Sequence, residues 1–517
     1  MDRLPQDIYD EIGEYLFKSN FDRPALATIS RRWQRAIERH IFREICVNNT
    51  DLELFRDIVQ HGRRQYVKKL KYFIILPAYS EAARARFERE EDRRANNDVF
   101  TIAIHRLFHI LKSWDVHKDG YIEFLIKDVY SISDHKLRAN ESIIARRVGD
   151  LRAWRYMYSY LRLLRSSELP IVPVVISFET FPFSRRICDR VAIDIAVKLP
   201  NLLKGSWKFN DWEIPYLALR RAHRHDLVQA ISNVFPQSSA LQSLHIVMGS
   251  VFFWAPSWYR GNLSLDSATT DPLCNALRVT TSRMSNLKKL SIYGDVDASL
   301  MWPSPSPCPP EPYWQGLQHL SIHFTARRPS GGCYFLEPGN TTIGSDAQAP
   351  SDTKMPPGYG FSEEEDIRAA ESFSLKDHKI SMDSCAVDVV PDDASLTPLM
   401  EAFGRVCLQL PMLRASELYS TIPGLDETDN TPFSYRRSLW GVWYLSPGTI
   451  YCGGKKYYDP VFFENSDQRR LFWDVKSWRP STQLSSLLRS IGQDRYGNQL
   501  VEHFVDSWNS VRKARSL

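Results

Sequence analysis

Residues of the types that do chemistry are plentiful in this chain, so their spacing decides what they can do. His105 and His109 lie four apart in FTIAIHRLFHILKSW, which would turn two imidazoles to one side of a helix. No glutamate follows the first histidine, as the zinc hydrolase motif requires, and no third ligand stands near. They read as histidines on the polar face of a helix at 100–114. In DVHKDGYIEFLI, residues 115–126, Asp115, Asp119, Gly120 and Ile122 match positions of a calcium loop. Its third position is His117 and its twelfth is Ile126, where a bidentate glutamate is needed. The stretch therefore reads as an Asp-Gly turn before a strand at 121–130. RRAHRHDL, from Arg220 to Leu227, has Asp226 as its one acidic member and reads as the solvated face of a helix at 217–235. CGGKKYY, from Cys452, lacks the GK[ST] ending of a phosphate loop. The eight cysteines include no CxxC pair and no zinc-type Cys/His spacing, so they read as reduced thiols. No nucleophile–base pair, nucleophile elbow or dinucleotide fingerprint stands out. The expectation is a protein that is not an enzyme, with no catalytic residue, no cofactor and no metal.

Binding is what remains. The 66 basic and 61 acidic residues leave a net charge of only +5, which argues against a dedicated nucleic-acid binder. Arg63, Arg64, Lys68, Lys69 and Lys71 form the strongest basic cluster. It has no interleaved aromatics to stack on bases, and it reads as a solvated lead into a buried strand at 70–76. The start, MDRLPQDIYDE, is charged where a signal peptide needs an apolar run. No apolar stretch approaches the roughly 20 residues that span a bilayer. A cytoplasmic or nuclear protein is expected.

The N-terminal stretch 4–42 carries two apolar stripes. Leu4, Ile8, Ile12, Tyr15 and Leu16 recur every three or four residues, behind Pro5 at a helix start and among Asp7, Asp10 and Glu11. Pro24 restarts the pattern, and Leu26, Ile29, Trp33, Ala36 and Ile37 make the second stripe. Two short helices cannot bury both stripes against each other, so some of this surface must meet the rest of the chain or a partner. LP, the isoleucines that follow it, and ALATISRRW stand in the order found in F-box proteins, and the stretch resembles an F-box. The resemblance implies docking to a Skp-family adaptor and, through it, to the cullin of a ubiquitin ligase. It implies that Leu4, Pro5 and Ile8 start the docking face, and that Ile12, Leu26, Ile29 and Trp33 complete or support it.

Beyond this stretch, helices are expected at 43–60, 81–94 (a solvated face of mixed charge), 151–164 and 187–199. A proline-dense loop follows at 303–312. A stretch at 337–372, poor in large apolar residues, is expected to be a disordered insertion. Strands are expected at 436–445 and 470–478, and one or two capping helices at 484–508.

A short unit recurs in the middle of the chain. Leu241-Gln-Ser-Leu244-His-Ile246, Leu287-Lys-Lys-Leu290-Ser-Ile292 and Leu317-Gln-His-Leu320-Ser-Ile322 all read LxxLxI. On a strand, the leucines and the isoleucine share one face. Leu199-Pro-Asn-Leu202 and Leu410-Pro-Met-Leu413 are degenerate candidates. Clear copies start at 241, 287 and 317, wider apart than the ~20–29 residues of regular leucine-rich repeats. The pattern resembles the irregular leucine-rich repeats of some F-box proteins. The opposite strand face would carry His245, Val247, Ser291, Tyr293, Ser321 and His323, a surface suited to a protein substrate.

The expected fold is therefore mixed α+β and α/β. It comprises an F-box at 1–45, a helical or α+β linker at 46–165, an irregular leucine-rich-repeat-like domain at 166–430, and strands with capping helices at 431–517. The expected function is substrate recognition for a Skp–cullin–F-box ubiquitin ligase. The alternatives are an adaptor-bound interaction protein outside any ligase, or an α/β enzyme or nucleic-acid binder that merely begins with a helix pair.

Overall fold

Ser30 decides how the N-terminal helices are cut. Its hydroxyl accepts the Trp33 N–H at 3.3 Å and caps a new helix where one continuous helix from Pro24 was expected. The computed structural model thus has α1 (Gln6–Lys18), α2 (Arg23–Ala27) and α3 (Arg31–Ile41) here. It describes residues 4–18, 23–84, 86–134, 155–156, 158–180, 185–209, 217–233, 235, 240–248, 262–263, 270–303, 314–336, 358–360, 362, 364–365, 368, 390–423, 437–449 and 464–504. The chain forms two units, Met1–Trp207 with Pro357–Ser372, and Lys208–Pro356 with Phe373–Leu517. The expected breaks at 45, 165 and 430 fall inside these units. Each unit is mixed α/β around a mostly parallel sheet.

In the first unit, Ile45, Cys46 and Val47 sit in a strand, β1 (Glu44–Asn48), and not in the helix expected from residue 43. Cα register pairs them in parallel with β2 (Lys69–Leu76), and helix resumes only at α4 (Leu52–Ile58). Next come α5 (Glu90–Lys112), β3 (Ile122–Ser131), β4 (Val175–Thr180), α6 (Arg190–Ala196) and β5 (Lys204–Phe209), with β1 to β5 all parallel. The boundary between the units falls within β5, after Trp207. Helix α5 covers one sheet face. The Tyr72 hydroxyl donates to the Ala103 carbonyl at 2.9 Å, and Phe108 meets Phe124 edge-on at 6.2 Å. As expected, a turn at Gly120, with φ of +78°, leads into β3. Asp119 spends its carboxylate on the Asp115 N–H and near Arg64, at 2.9 and 3.7 Å.

Of the helix expected at 151–164, the described residues 155–156 and 158–164 show none. Tyr158, Ser159, Tyr160 and Leu161 are buried in succession, and Leu161 bridges to Ile187. A run with no exposed side is a path through the core and not an amphipathic helix. The charged stretch 81–94 is helical at Glu81–Arg84 and again from Glu90, where Glu90 and Arg94 form the expected exposed i,i+4 pair at 3.0 Å, but it is not solvated throughout. Helix is broken before Glu90, and Glu88 is 2% exposed beneath Arg185.

In the second unit, β6 (Ser243–Met248), β7 (Lys289–Gly294) and β8 (His319–Phe324) are the three LxxLxI copies, parallel and in register. A short pair, β9 (Phe335–Leu336) with β10 (Val390–Pro391), precedes β11 (Ala415–Pro423), which is parallel to β8. The sheet continues antiparallel through β12 (Arg437–Leu445) and β13 (Arg469–Asp474), and β14 (Leu500–Phe504) lies parallel to β13. β14 stands where a capping helix was expected. Helices α7 (Leu217–Asn233), α8 (Pro272–Ser282), α9 (Asp393–Gln409) and α10 (Thr482–Arg489) connect the strands. Helix α9 packs on the buried face of Ser416 and Leu418, where Cys407 Sγ meets Ser416 Oγ at 3.4 Å, and α7 and α8 pack on each other.

Register corrects the degenerate copies. Ala415 aligns with His319, so the fourth unit is Leu413-x-x-Ser416-x-Leu418, three residues beyond its expected start. Leu413, Leu287 and Leu202 each close the same turn onto the residue three before, at 3.3, 3.1 and 3.1 Å. Each strand then begins two residues later. One carbonyl, of Gln242, Lys288 or Gln318, takes two successive N–H groups of the next strand. The Arg43 carbonyl does the same for Lys68 and Lys69, at 2.9 Å each. Val67-x-x-Leu70-x-Tyr72 is therefore a copy that the sequence pattern hid. Among the described residues no helix is long and apolar enough to cross a membrane.

Candidate functional site

The N-terminal helices present one apolar side and bury another. Tyr9, Trp33, Ala36 and Ile37 form the core, with Tyr9 edge-on to Trp33 at 5.2 Å and Leu16 and Leu26 at its margin. Gly13 is buried against Ala36, where a Cβ would make an ordinary contact at 3.5 Å. Leu4, Ile8, Ile12 and Tyr15 fall on the other side of α1. Leu4, Pro5, Ile12 and Tyr15 are exposed, as is Ile29 at 60%, while Ile8 and Leu26 are half-buried. Of the seven expected docking residues, only Trp33 is core, and it supports the face from beneath. Arg32 donates to the Leu4 carbonyl, and Gln6 Nε2 donates to the Arg32 carbonyl at 3.2 Å. These bonds fix the Leu4–Pro5 corner against α3, and the Arg39–Asp10 pair at 2.6 Å adds a second tie.

The second candidate is the sheet face of the second unit that points away from α9. The six expected residues align there in two rows. His245, Ser291 and Ser321 stand in one, extended by Glu417. His245 Nδ1 lies 2.9 Å from Ser291 Oγ, and the Ser321 hydroxyl donates to Glu417. Desolvation by its neighbours lowers the His245 pKa below the ordinary imidazole value. In the other row stand Val247, Tyr293 and His323, extended by Tyr419. His323 is held between Tyr293 at 4.2 Å and Tyr419 at 4.3 Å, and its Nε2 meets Thr421 Oγ1 at 3.0 Å. Tyr419 stacks on Trp443 at 6.0 Å. His245 is exposed, the flanking members are half-buried, and Tyr293 is only 8% exposed. Tyr293 is thus more a packed rung of an aromatic ladder than a free anchor. The sequence pattern missed Glu417, Tyr419 and Thr421 because a serine replaces the second leucine of the fourth copy, and Trp443 because it stands on β12, outside any copy.

Gly441 makes room for this ladder. It stands opposite Tyr419, and a Cβ there would lie 2.6 Å from the Tyr419 Cβ, with the Leu418 carbonyl oxygen also in its way. Gly441→Ala is expected to destabilise the second unit by about 1–3 kcal/mol through overpacking. Faster hydrogen exchange in β11 and β12 would register the loss, and unchanged exchange would mean that β12 shifts at no cost.

The basic cluster of the first unit is largely neutralised by carboxylates. Arg63 pairs with Glu38 at 2.6 Å, Arg64 with Asp119 at 3.7 Å and Lys69 with Glu123 at 3.9 Å, and Lys71 pairs with Glu44. His105 is half-buried on α5 and His109 exposed. Among the described residues no three His, Cys, Asp or Glu side chains converge as a metal site would require. The arrangement offers contact surfaces of two kinds, one apolar and helical, one polar and aromatic on a sheet.

The chain matches no protein-family model, and no curated protein matches it in sequence.

Proposed function

We propose that this protein is a substrate receptor of a Skp–cullin–F-box ubiquitin ligase. The N-terminal helices dock on a Skp-family adaptor, and the second unit, an irregular leucine-rich-repeat-like domain, holds the protein to be modified. The observation that carries the reading is the stripe of exposed Leu4, Pro5 and Ile12 with half-buried Ile8, joined by exposed Ile29, on helices whose core is already filled by Tyr9, Trp33, Ala36 and Ile37. An apolar side left over after the core is complete calls for a partner. Repetition of one strand unit with one lead-in turn supports the repeat-like reading of the rest. The protein performs no covalent chemistry itself. The test is a pull-down of the full chain from cells. Recovery of the adaptor together with a cullin supports a ligase role. Recovery of the adaptor alone would leave an adaptor-bound interaction protein, and a folded chain that captures neither would end the proposal.

The sheet face is the proposed place of substrate capture. His245→Ala removes an exposed ring bonded to the Ser291 hydroxyl at the sheet surface, so the melting temperature is expected to hold. Substrate recovery is expected to fall about fivefold, the equivalent of roughly 1 kcal/mol. Recovery unchanged across the known partners would move capture away from this face.

A further inference from the structure

The segment Pro357–Ser372 belongs to the first unit, although the chain on either side of it belongs to the second. A contact centred on Arg93 holds it. Arg93 donates through Nη1 to the Glu88 carbonyl at 2.8 Å and through Nη2 to the Gly358 carbonyl at 2.6 Å. Its guanidinium lies 3.8 Å from the centre of the Tyr359 ring, a cation–π stack. The Tyr359 hydroxyl donates to the Tyr158 carbonyl at 2.7 Å, and Tyr158 packs on Phe87 with ring centres 5.3 Å apart. Glycine is required before the tyrosine. Gly358 has φ of +85°, and a Cβ there would fall on the Glu88 carbonyl oxygen and 3.2 Å from Arg93 Nη1. Gly360, with φ of +77°, turns the chain away again. Just beyond, Ser362, Glu364, Glu365 and Arg368 are exposed, and Ser362 bonds to Glu365. Most of 337–372, expected to be a disordered insertion, lies outside the described residues, but Gly358 and Tyr359 are held in place.

We propose that the recess formed by Arg93 and the Glu88 and Tyr158 carbonyls is a binding site for a Gly-Tyr-Gly turn, filled in cis by the chain's own residues 358–360 as a releasable latch. The contact is made by main-chain carbonyls and one guanidinium, so it recognises the turn and the ring and ignores the rest of the segment. A short anchor of this kind opens locally, without unfolding the sheet. Phosphotyrosine does not fit, because a phosphoryl group on Oη removes the donor and sets anionic oxygens against the Tyr158 carbonyl.

The test uses the full chain carrying Tyr359→Ala and a labelled peptide of residues 356–361, PPGYGF, followed by fluorescence anisotropy. The peptide is expected to bind the Tyr359→Ala chain saturably and the unaltered chain at least tenfold more weakly, because the cis turn competes at an effective concentration on the order of millimolar. The same peptide with phosphotyrosine, and binding to a chain that also carries Arg93→Met, should both fail. Equal binding to the altered and unaltered chains, no binding to the Tyr359→Ala chain, or binding that survives Arg93→Met would overturn the proposal. Hydrogen exchange on the unaltered chain covers the case in which Tyr359→Ala does not fold. Amides 358–360 are expected to exchange at least a hundredfold faster than those of β2 and β3. Exchange as slow as those strands would make the segment part of the core and no latch.

Discussion

A chain carrying Pro5→Ala and Ile8→Asp is expected to lose adaptor capture by roughly a hundredfold or more while its helices stay folded. Ile8 is half-buried on α1, beside exposed Leu4, Pro5 and Ile12. In a docked complex that side would be dry, and a carboxylate placed there costs several kcal/mol unless it finds a partner. About 2.7 kcal/mol already gives a hundredfold. The free protein tolerates the change. Residue 8 lies in the first turn of α1, where a negative charge suits the helix dipole, and the core residues Tyr9 and Trp33 are untouched. Trp33→Ala is the contrasting case. It would also lose the adaptor, but by emptying the helical core, at a cost of about 3–5 kcal/mol. Helical content measured by circular dichroism separates the two. If the double variant kept full adaptor capture, the docking face would lie elsewhere.

The other large effect is expected from Glu88→Ala in the first unit. Glu88 accepts Arg185 Nη2 on both oxygens at 2.8 and 2.6 Å, Asn96 Nδ2 at 2.6 Å, and the Ser159 hydroxyl. Both members of the ion pair are fully buried, and among the described residues Arg185 Nε and Nη1 have no hydrogen-bond partner. The Tyr156 ring, 3.8 Å from the guanidinium, is its remaining support. Removing the carboxylate strands a buried cation, which costs about 3–5 kcal/mol. The same cluster holds Arg155, 1% exposed, on Asp92 at 2.8 Å and on the Ala83 and Arg86 carbonyls. Arg86 joins it at 3.4 Å from Asp92, and every charged group in it has a partner of opposite sign, so it reads as a structural clamp around the ends of β3 and β4. Hydrogen exchange in β3 and β4 should report opening that is easier by that amount. Unchanged exchange would show that Arg185 finds water or another acceptor.

What could be read from sequence followed from how regular the local signal was. Three LxxLxI copies placed β6, β7 and β8 and the side each residue faces, because period-2 alternation fixes faces once a strand is given. The Asp-Gly turn before β3 was equally plain. The fourth copy slipped by three residues because Ser416 stands where a leucine was sought, and with it went Glu417, Tyr419 and Thr421. Val67-x-x-Leu70-x-Tyr72 escaped for the same reason, since a tyrosine took the isoleucine's place. In α1, two apolar sides overlap in one helix, and the buried one is marked partly by Gly13, which carries no hydrophobic signal. Arg155, Arg185 and Glu88 were invisible as core residues, because burial of a charge depends on partners up to 97 positions away. The Gly358–Tyr359 anchor was hidden inside a composition that otherwise reads as disorder.

We propose that the Skp-family adaptor sits on the apolar side of α1 together with Ile29. The most direct test is hydrogen exchange of the full chain with and without purified adaptor. The account predicts a saturable complex with new protection concentrated in α1 and the α2–α3 turn around Ile29, and no new protection in β6 to β8. No complex with a folded chain, or protection that appears on the second unit while α1 exchanges as before, would contradict it.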